Sequence, residues 1–396
     1  MRNIVIVGCG FAGYHATRRL EQKLGSRRRV NLTVVTRRPT FVFTPLLSAV
    51  AGGQIDAGRI TLDADQAFSS RVDVITDDIE TIDFDAGQLI SSDDTIPFDY
   101  LLLATGSHRN PSAFDGAQAL RGPDNLDDAV DIRRQFQGLS TDQGPLRLTV
   151  IGGSTTGVEW AGRLATGVAE AKHLRSDGVQ IEVLEQSDRL LPDHSARISD
   201  KVTEYLESLN IDIHLDTAVQ SADTDRVVLD DGQTRPTDWA FHCAGRIGAS
   251  VAPNSSLPTD DARRVIVDDD LSIGDRNGVF AAGDAALHRT TPNHSNPQIA
   301  MQQGLWAARN LLADMSGRAT RPFEFDDRGD FITVGPDKTA LELGGLLLEG
   351  RAAWLAYRLY YTALMPRPIQ NTNVLGDWIR RRLSDGSSQY LPDDTD

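Results

Sequence analysis

Near its start the chain carries an unbroken apolar run, Ile4-Val5-Ile6-Val7, with no polar residue alternating through it. A short run rich in β-branched residues reads as a parallel strand buried on both faces. It breaks on Gly8, Gly10 and Gly13, and helix-forming residues follow from Ala16 to Lys23. A second strand-like run begins at Val30 and ends on Thr36, before Arg37 and Arg38. The pattern then returns. Leu148 to Ile151 form another apolar run, Gly152, Gly153, Ser154, Thr155, Thr156 and Gly157 follow, and a helix is expected from Val158 onward. The next strand, Val179 to Leu184, ends on Glu185, and a further buried run, Val279 to Ala282, precedes Gly283. Strand and helix periods alternate throughout, so the expected class is α/β with two Rossmann-like dinucleotide-binding domains. A smaller α+β unit is expected at residues 320–396, where two strand-like runs precede helices.

The glycine spacing assigns chemistry to these turns. In a strand-to-helix loop the first glycine makes the tight turn, the second lets backbone approach a pyrophosphate, and the third lets helix pack on strand. The helix N-terminus then presents its positive end to the phosphates. Gly8, Gly10 and Gly13, with Phe11 and Ala12 between them, fit this pattern. Thr36 stands where such a fold usually carries an acid for the adenosine ribose; its hydroxyl is a weaker ribose ligand, and Arg37 is a candidate for phosphate or adenine contact. In the second loop Ser154 replaces the middle glycine. Glu185 ends the following strand and favours the free ribose diol of NAD over the 2′-phosphate of NADP. Two nucleotide folds in one chain suggest that one holds a flavin and the other delivers a nicotinamide.

Composition narrows the partners. The formal net charge is -16, with 40% hydrophobic and 24% charged residues, so an acidic surface disfavours nucleic acid. There are 2 cysteines, Cys9 and Cys243, and no C-x-x-C, which excludes a neighbouring dithiol pair and a zinc ribbon. No metal site is expected, and two buried apolar thiols are a simpler reading than a distant disulfide. No window reaches about 18 uninterrupted apolar residues, so no transmembrane helix is expected. No signal peptide is read before the first strand, and the expected location is the cytoplasm.

Further segments resemble a known family over nearly the whole chain. The chain resembles the two-dinucleotide-fold flavoprotein oxidoreductases, and among them most closely the type II NADH dehydrogenases, which pass electrons from NADH through FAD to a quinone. Thr40 to Leu47 is similar to that family's H-x-F-T-P-L-L segment, which implies that Thr44, Pro45 and Leu46 lie near the flavin. Ala104-Thr105-Gly106 resembles its A-T-G element against FAD, and Gly283-Asp284 resembles its G-D motif on the ribityl and pyrophosphate side. Pro297 to Gln302 is similar to its A-Q-x-A-x-Q pattern, departing at Pro297. That implies that Gln298, Ile299, Ala300 and Gln302 border the flavin and quinone pocket. Glu159 matches a family glutamate between the nicotinamide and quinone sides, implying proton movement or nicotinamide orientation. Ala244-Gly245 matches the strand end where the NAD domain returns toward the flavin.

The expected FAD-binding domain is split, 1–115 and 265–316, with an NAD(H)-binding domain inserted at 145–255 and the C-terminal unit at 320–396. The stretches 116–125 and 252–261 read as the crossings. Trp354, Leu355, Leu359 and Tyr361 give the C-terminal unit an apolar stripe. Trp378, Ile379 and Leu383 beside Arg380, Arg381 and Arg382 form a short basic amphipathic element suited to an anionic membrane surface. The expected function is an FAD-dependent NADH oxidoreductase with Glu159, Gln298 and Gln302 on the acceptor path. The acceptor stays open between a quinone and a soluble protein or small molecule, and a nucleotide-binding sensor with little turnover stands as the other reading. Oligomerisation and peripheral attachment to the cytoplasmic face of the membrane are open too.

Overall fold

The computed structural model describes residues 1–366 except 26–28, 140, 142–143, 172–173, 175–177, 292–294 and 336. Strand β1 (Arg2–Val7) leads into helix α1 (Phe11–Leu24) and strand β2 (Val30–Thr36), with β3 (Val72–Thr76) and β4 (Tyr100–Leu103) after them. A second series follows: β5 (Leu146–Ile151), α2 (Thr155–Glu170), β6 (Val179–Leu184), β7 (Ile211–His214) and β8 (Trp239–His242). Then come β9 (Val279–Ala281), α3 (Pro297–Met315), the strands β10 (Asp330–Gly335), β11 (Lys338–Leu343) and β12 (Leu346–Glu349), and helix α4 (Gly350–Leu364). These elements form two compact units. The first holds residues 1–42, 61–108 and 246–328; the second holds 43–60, 109–245 and 329–396.

The first unit is built on a five-stranded parallel sheet in the order β9-β4-β1-β2-β3. Ile4, Val5 and Ile6 point alternately to opposite faces, yet each is 1% exposed or less, so both faces are covered. That is why the run shows no polar alternation. Helix α3 lies against α1 at backbone distance: a Cβ placed on Gly304 would stand 2.2 Å from the Ala12 carbonyl oxygen. The small residues Ala300, Gly304, Ala307 and Ala308 share this face of α3.

The second unit repeats the scheme with a four-stranded parallel sheet in the order β7-β6-β5-β8. Its core includes Phe114, Ala117, Leu120, Ile151, Leu184 and Ala240. Phe114, Ala117 and Leu120 come from the stretch around 116–125, which therefore folds into the second unit instead of running as a crossing. The chain passes between the units at 42/43, 60/61, 108/109, 245/246 and 328/329. The C-terminal strands and helix do not stand apart as a third unit either. The antiparallel sheet β10-β11-β12 belongs to the second unit, and a Cβ on Gly162 of α2 would stand 2.0 Å from the Val334 carbonyl oxygen of β10. A helix that close to a strand packs through backbone and leaves no room for independent movement. The basic amphipathic element read at Trp378 to Leu383 lies outside the described residues.

Gly304→Ala is expected to lower the thermal midpoint of the protein, because the new methyl meets Ala12 backbone and overpacking of this kind costs about 1–3 kcal/mol. Ala307→Gly on the same face serves as the comparison, since it removes bulk instead of adding it.

Candidate functional site

The two glycine loops sit at equivalent places in their own sheets. In the first unit β1 is flanked by β2 on one side and β4 on the other, and chain order reverses there. Such a switch point opens a crevice outside the carboxyl ends of the strands. The turn is drawn tight by Gly8 N–H donating to Val35 O (2.7 Å), and Ala104 N–H donates to Val7 O (2.8 Å), which brings Ala104, Thr105 and Gly106 beside the glycines. Gly13 is packed so closely that a Cβ would stand 1.9 Å from Gly8 O. Gly10 is the opposite case: a Cβ there meets nothing within 4 Å, and no side chain caps the N-terminus of α1. The loop is thus closed on its protein side and open where a phosphate approaches backbone amides. An FAD pyrophosphate fits this cradle.

Asp284 follows β9 and its carboxylate is held by a relay. Arg246 Nε donates to Ser107 Oγ (2.7 Å), Arg246 Nη2 donates to Ser107 O (2.7 Å), and Ser107 Oγ donates to Asp284 Oδ2 (2.8 Å). Gly283 N–H donates to Gln303 Oε1 (2.8 Å), and Gln303 is buried. Gly283 also lies against Ala12 and Ala300, where a Cβ would stand 3.0 Å and 3.3 Å from their Cβ atoms. The expected residues Ala12, Gly283, Asp284 and Ala300 are thereby gathered in one place, with Ile299 buried in the same turn of α3. Ser107, Arg246 and Gln303 were not among the expected site residues. A signal for Gln303 existed, since it falls on the small-residue face of α3 and a glutamine there is bound to be buried. Ser107 and Arg246 carry no such pattern.

Other expected residues make bonds within their own units. Thr36 is buried at the end of β2 and its hydroxyl donates to Arg38 O (3.0 Å), while exposed Arg37 lies 3.9 Å from Asp78. Gln298 and Gln302 share a face, but their amides hold the segment after α3: Arg328 N–H donates to Gln298 Oε1 (2.7 Å), Gln302 Nε2 donates to Asp326 O (2.8 Å), and Asp326 N–H donates back to Gln302 Oε1 (2.9 Å). Thr44, Pro45 and Leu46, expected beside the flavin, form a short 3-10 helix in the second unit.

The second loop repeats the first with one difference. Gly152 N–H donates to Leu184 O (2.8 Å), Cys243 N–H donates to Ile151 O (2.8 Å), and a Cβ on Gly157 would stand 1.8 Å from Gly152 O. This sets Ala244 and Gly245 beside Gly152, again at the sheet's switch point. Ser154, in place of the middle glycine, turns its hydroxyl back to Cys243 O (3.2 Å), away from the open side where Thr155 and Thr156 begin α2. Glu185 is buried, and its carboxylate accepts Gly153 N–H (2.6 Å) and Ser187 N–H (2.8 Å). The acid thus fixes the loop it serves, and its remaining lone pairs suit a ribose diol. Neither cysteine is in a disulfide, both are buried, and burial pushes the Cys9 thiol up to about 12.

Glu159, one turn into α2, sits in a second cluster of that unit. Burial pushes its carboxyl up to about 7, opposed by the Arg163 guanidinium and by Thr333 N–H, which donates to Glu159 Oε1 (3.2 Å). Tyr357 and Tyr361 of α4 are part of the same group. Both phenols are raised above the ordinary range by burial first and by the Glu159 charge among the further causes. Tyr357, Tyr361, Tyr360 and Phe331 pack together, Phe331 stacked on Tyr360 and the other pairs edge-on or tilted, with Phe43 edge-on to Tyr361. No periodicity in the sequence links Glu159 to residues so far along the chain.

A family model described as pyridine nucleotide-disulphide oxidoreductase matches residues 2–304. The chain is 28% identical to the type II NADH:quinone oxidoreductase Ndh of Mycobacterium tuberculosis, over 91% of this chain and 84% of that one. It is 25% identical to the demethylphylloquinone reductase NdbB of Synechocystis, over 96% of each. Its fold is similar to that of NDH2 from Plasmodium falciparum in complex with NADH, with TM-score 0.84 at 16% identity over 98% of this chain and 99% of that one. It is also similar to the sulfide:quinone oxidoreductase of Aquifex aeolicus, with TM-score 0.79 at 18% identity over 92% and 90%.

Ser107→Ala interrupts the relay from Arg246 to Asp284. Hydrogen bonds to charged groups contribute about 1.5–3 kcal/mol, so FAD affinity is expected to fall about tenfold to a hundredfold, measured by flavin release on dialysis. Retention equal to that of the wild type removes Ser107 from the site.

Proposed function

Because the chain belongs to the pyridine nucleotide-disulphide oxidoreductase family, we propose that it is a flavoenzyme that oxidises NADH and reduces a quinone. The observation that carries this is the repeated glycine loop at two switch points, the second closed by a buried Glu185 carboxylate. FAD, when bound, supplies the two-electron relay between the nicotinamide and the acceptor. The first unit binds it through the Gly8–Gly13 loop, Ala104 to Gly106, and Gly283-Asp284. The second unit binds NADH through Gly152, Gly153, Thr155, Thr156, Gly157, Ala244 and Gly245. Glu185 selects against NADPH, since a buried carboxylate repels a 2′-phosphate.

Quinone reduction consumes protons, and Glu159 is the group suited to supply one. With a pKa near 7 it is partly protonated at neutral pH. Thr333 N–H occupies Oε1, so the proton belongs on Oε2. Gln298 and Gln302 shape the acceptor side by fixing the backbone at Asp326 and Arg328.

A quinone that dissolves in lipid calls for an enzyme at the membrane surface. No helix among the described residues is long and apolar enough to cross a membrane. The second unit instead exposes Leu343, Leu346, Leu348, Leu355 and Leu359, with Leu346 at 78% at the start of β12. Arg358 stacks on Trp354 at 3.4 Å beside them, an amphipathic pair suited to the lipid interface. This face is the proposed peripheral contact with an anionic bilayer.

Anaerobic stopped-flow tests the reaction. NADH is expected to bleach the flavin, NADPH to do so far more slowly, and a short-chain quinone to restore the colour. A flavin that NADH leaves oxidised sinks the reading. The quinone step is expected to slow as pH rises through about 7, because Glu159 loses its proton there, and Glu159→Gln is expected to flatten that dependence. Leu346→Glu is expected to abolish co-sedimentation with anionic vesicles and to leave reduction of a water-soluble quinone unchanged. Undiminished sedimentation of that variant removes the proposed face.

A further inference from the structure

Arg163 is an uncommon residue for its position. It is 9% exposed, and a guanidinium stays charged in any protein environment. Its Nη1 donates to a neutral acceptor, Gln54 Oε1 (2.5 Å), and its buried Nε has no hydrogen-bond partner among the described residues. A Cβ placed on Gly52 would stand 3.9 Å from its Cβ, so the segment carrying Gln54 passes close to the side chain, and the bond to Gln54 fixes where the charge stands. A buried cation held by a neutral amide needs negative charge nearby. Glu159 is one helical turn earlier on the same face of α2, in the order, acid before base, that favours attraction.

We infer that Arg163 is a positioning residue: its clamped guanidinium sets how readily the Glu159 carboxyl releases and regains a proton. This rests on the reading of Glu159 as the proton donor to the acceptor. The charged and titratable groups around that carboxyl come from four segments of the unit. From α2 comes Arg163, whose charge favours the carboxylate. From α4 come Tyr357 and Tyr361, whose phenols are neutral at ordinary pH, and Arg358, which acts on Tyr357 and stacks on Trp354. From β10 come the Thr333 amide and Asp330, whose charge bears on Tyr361. From the segment passing close to Arg163 come Gln54 and, beyond it, Asp56, which faces Arg133 at 3.4 Å. Arg163 is the fixed cation of this group that acts on Glu159 directly. Burial raises the proton affinity of this acid and the Arg163 charge lowers it, so the two act against each other on one carboxyl.

The test reads Glu159 itself. Infrared difference spectra across pH, with Glu159→Gln identifying the carboxyl band, give its midpoint in the flavin-loaded protein. Arg163→Gln is expected to move that midpoint upward by about one pH unit or more, the range an adjacent opposite charge commands. Arg163→Lys, which keeps the charge, is expected to return it toward the wild-type value. Gln54→Leu, which frees the guanidinium without removing it, is expected to move it upward by less; with the lysine variant it carries the test if Arg163→Gln does not fold. A midpoint unmoved in both Arg163→Gln and Gln54→Leu overturns the inference, as does a lysine variant that behaves like the glutamine one. A midpoint that moves as expected while the pH profile of quinone reduction stays put upholds the inference and removes Glu159 from the acceptor step. A profile that follows an unmoved midpoint does the reverse.

Discussion

The structure depends on one close approach made twice. In each unit the helix after the first strand comes so near the loop that its third glycine stands against the carbonyl of the first, Gly13 on Gly8 and Gly157 on Gly152. No side chain fits there. The approach carries the helix axis onto the strand end, aims its N-terminal amides at the crevice, and leaves the middle of the loop open. Strand order, the placing of Ala104 and Ala244 on the neighbouring strands, and the close seat of α3 on α1 all follow from it.

This constraint also explains what was legible in the sequence. Gly8, Gly10 and Gly13, and their counterparts at Gly152 and Gly157, are sequence-local because a loop-to-helix turn is made by neighbours. The buried strands announced themselves by unbroken apolar runs. What escaped was long-range. The second unit recruits residues 43–60 and 329–366, and no local pattern says that Val334 will lie on Gly162 or that Pro45 will face Tyr357. Helical spacing put Gln298 and Gln302 on one face but could not show that the segment from Asp326 to Arg328 would take up their amides. The relay from Arg246 through Ser107 to Asp284 joins three distant stretches, and nothing in the composition of any one of them points to the others.

Glu159 and Glu185 show how one helix-and-strand frame produces two different acids. Glu185 accepts two backbone amides, Gly153 N–H and Ser187 N–H, which hold its carboxylate in place against the loop. Glu159 accepts one amide and is half-buried near aromatic rings, so its pKa rises to about 7. The difference lies in surroundings, not in residue type, and in Glu159's case those surroundings come in part from the C-terminal strands and helix.

That last point has an evolutionary consequence. The family model matches residues 2–304, whereas Thr333, Tyr357 and Tyr361, which surround Glu159, all lie beyond that stretch. Nucleotide handling and part of what surrounds Glu159 are thus encoded by consecutive stretches, joined where β10 lies on Gly162 and with Arg163 and Gln54 on the nucleotide side. A different tail laid across Gly162 then changes what surrounds Glu159 while the glycine loops stand as they are.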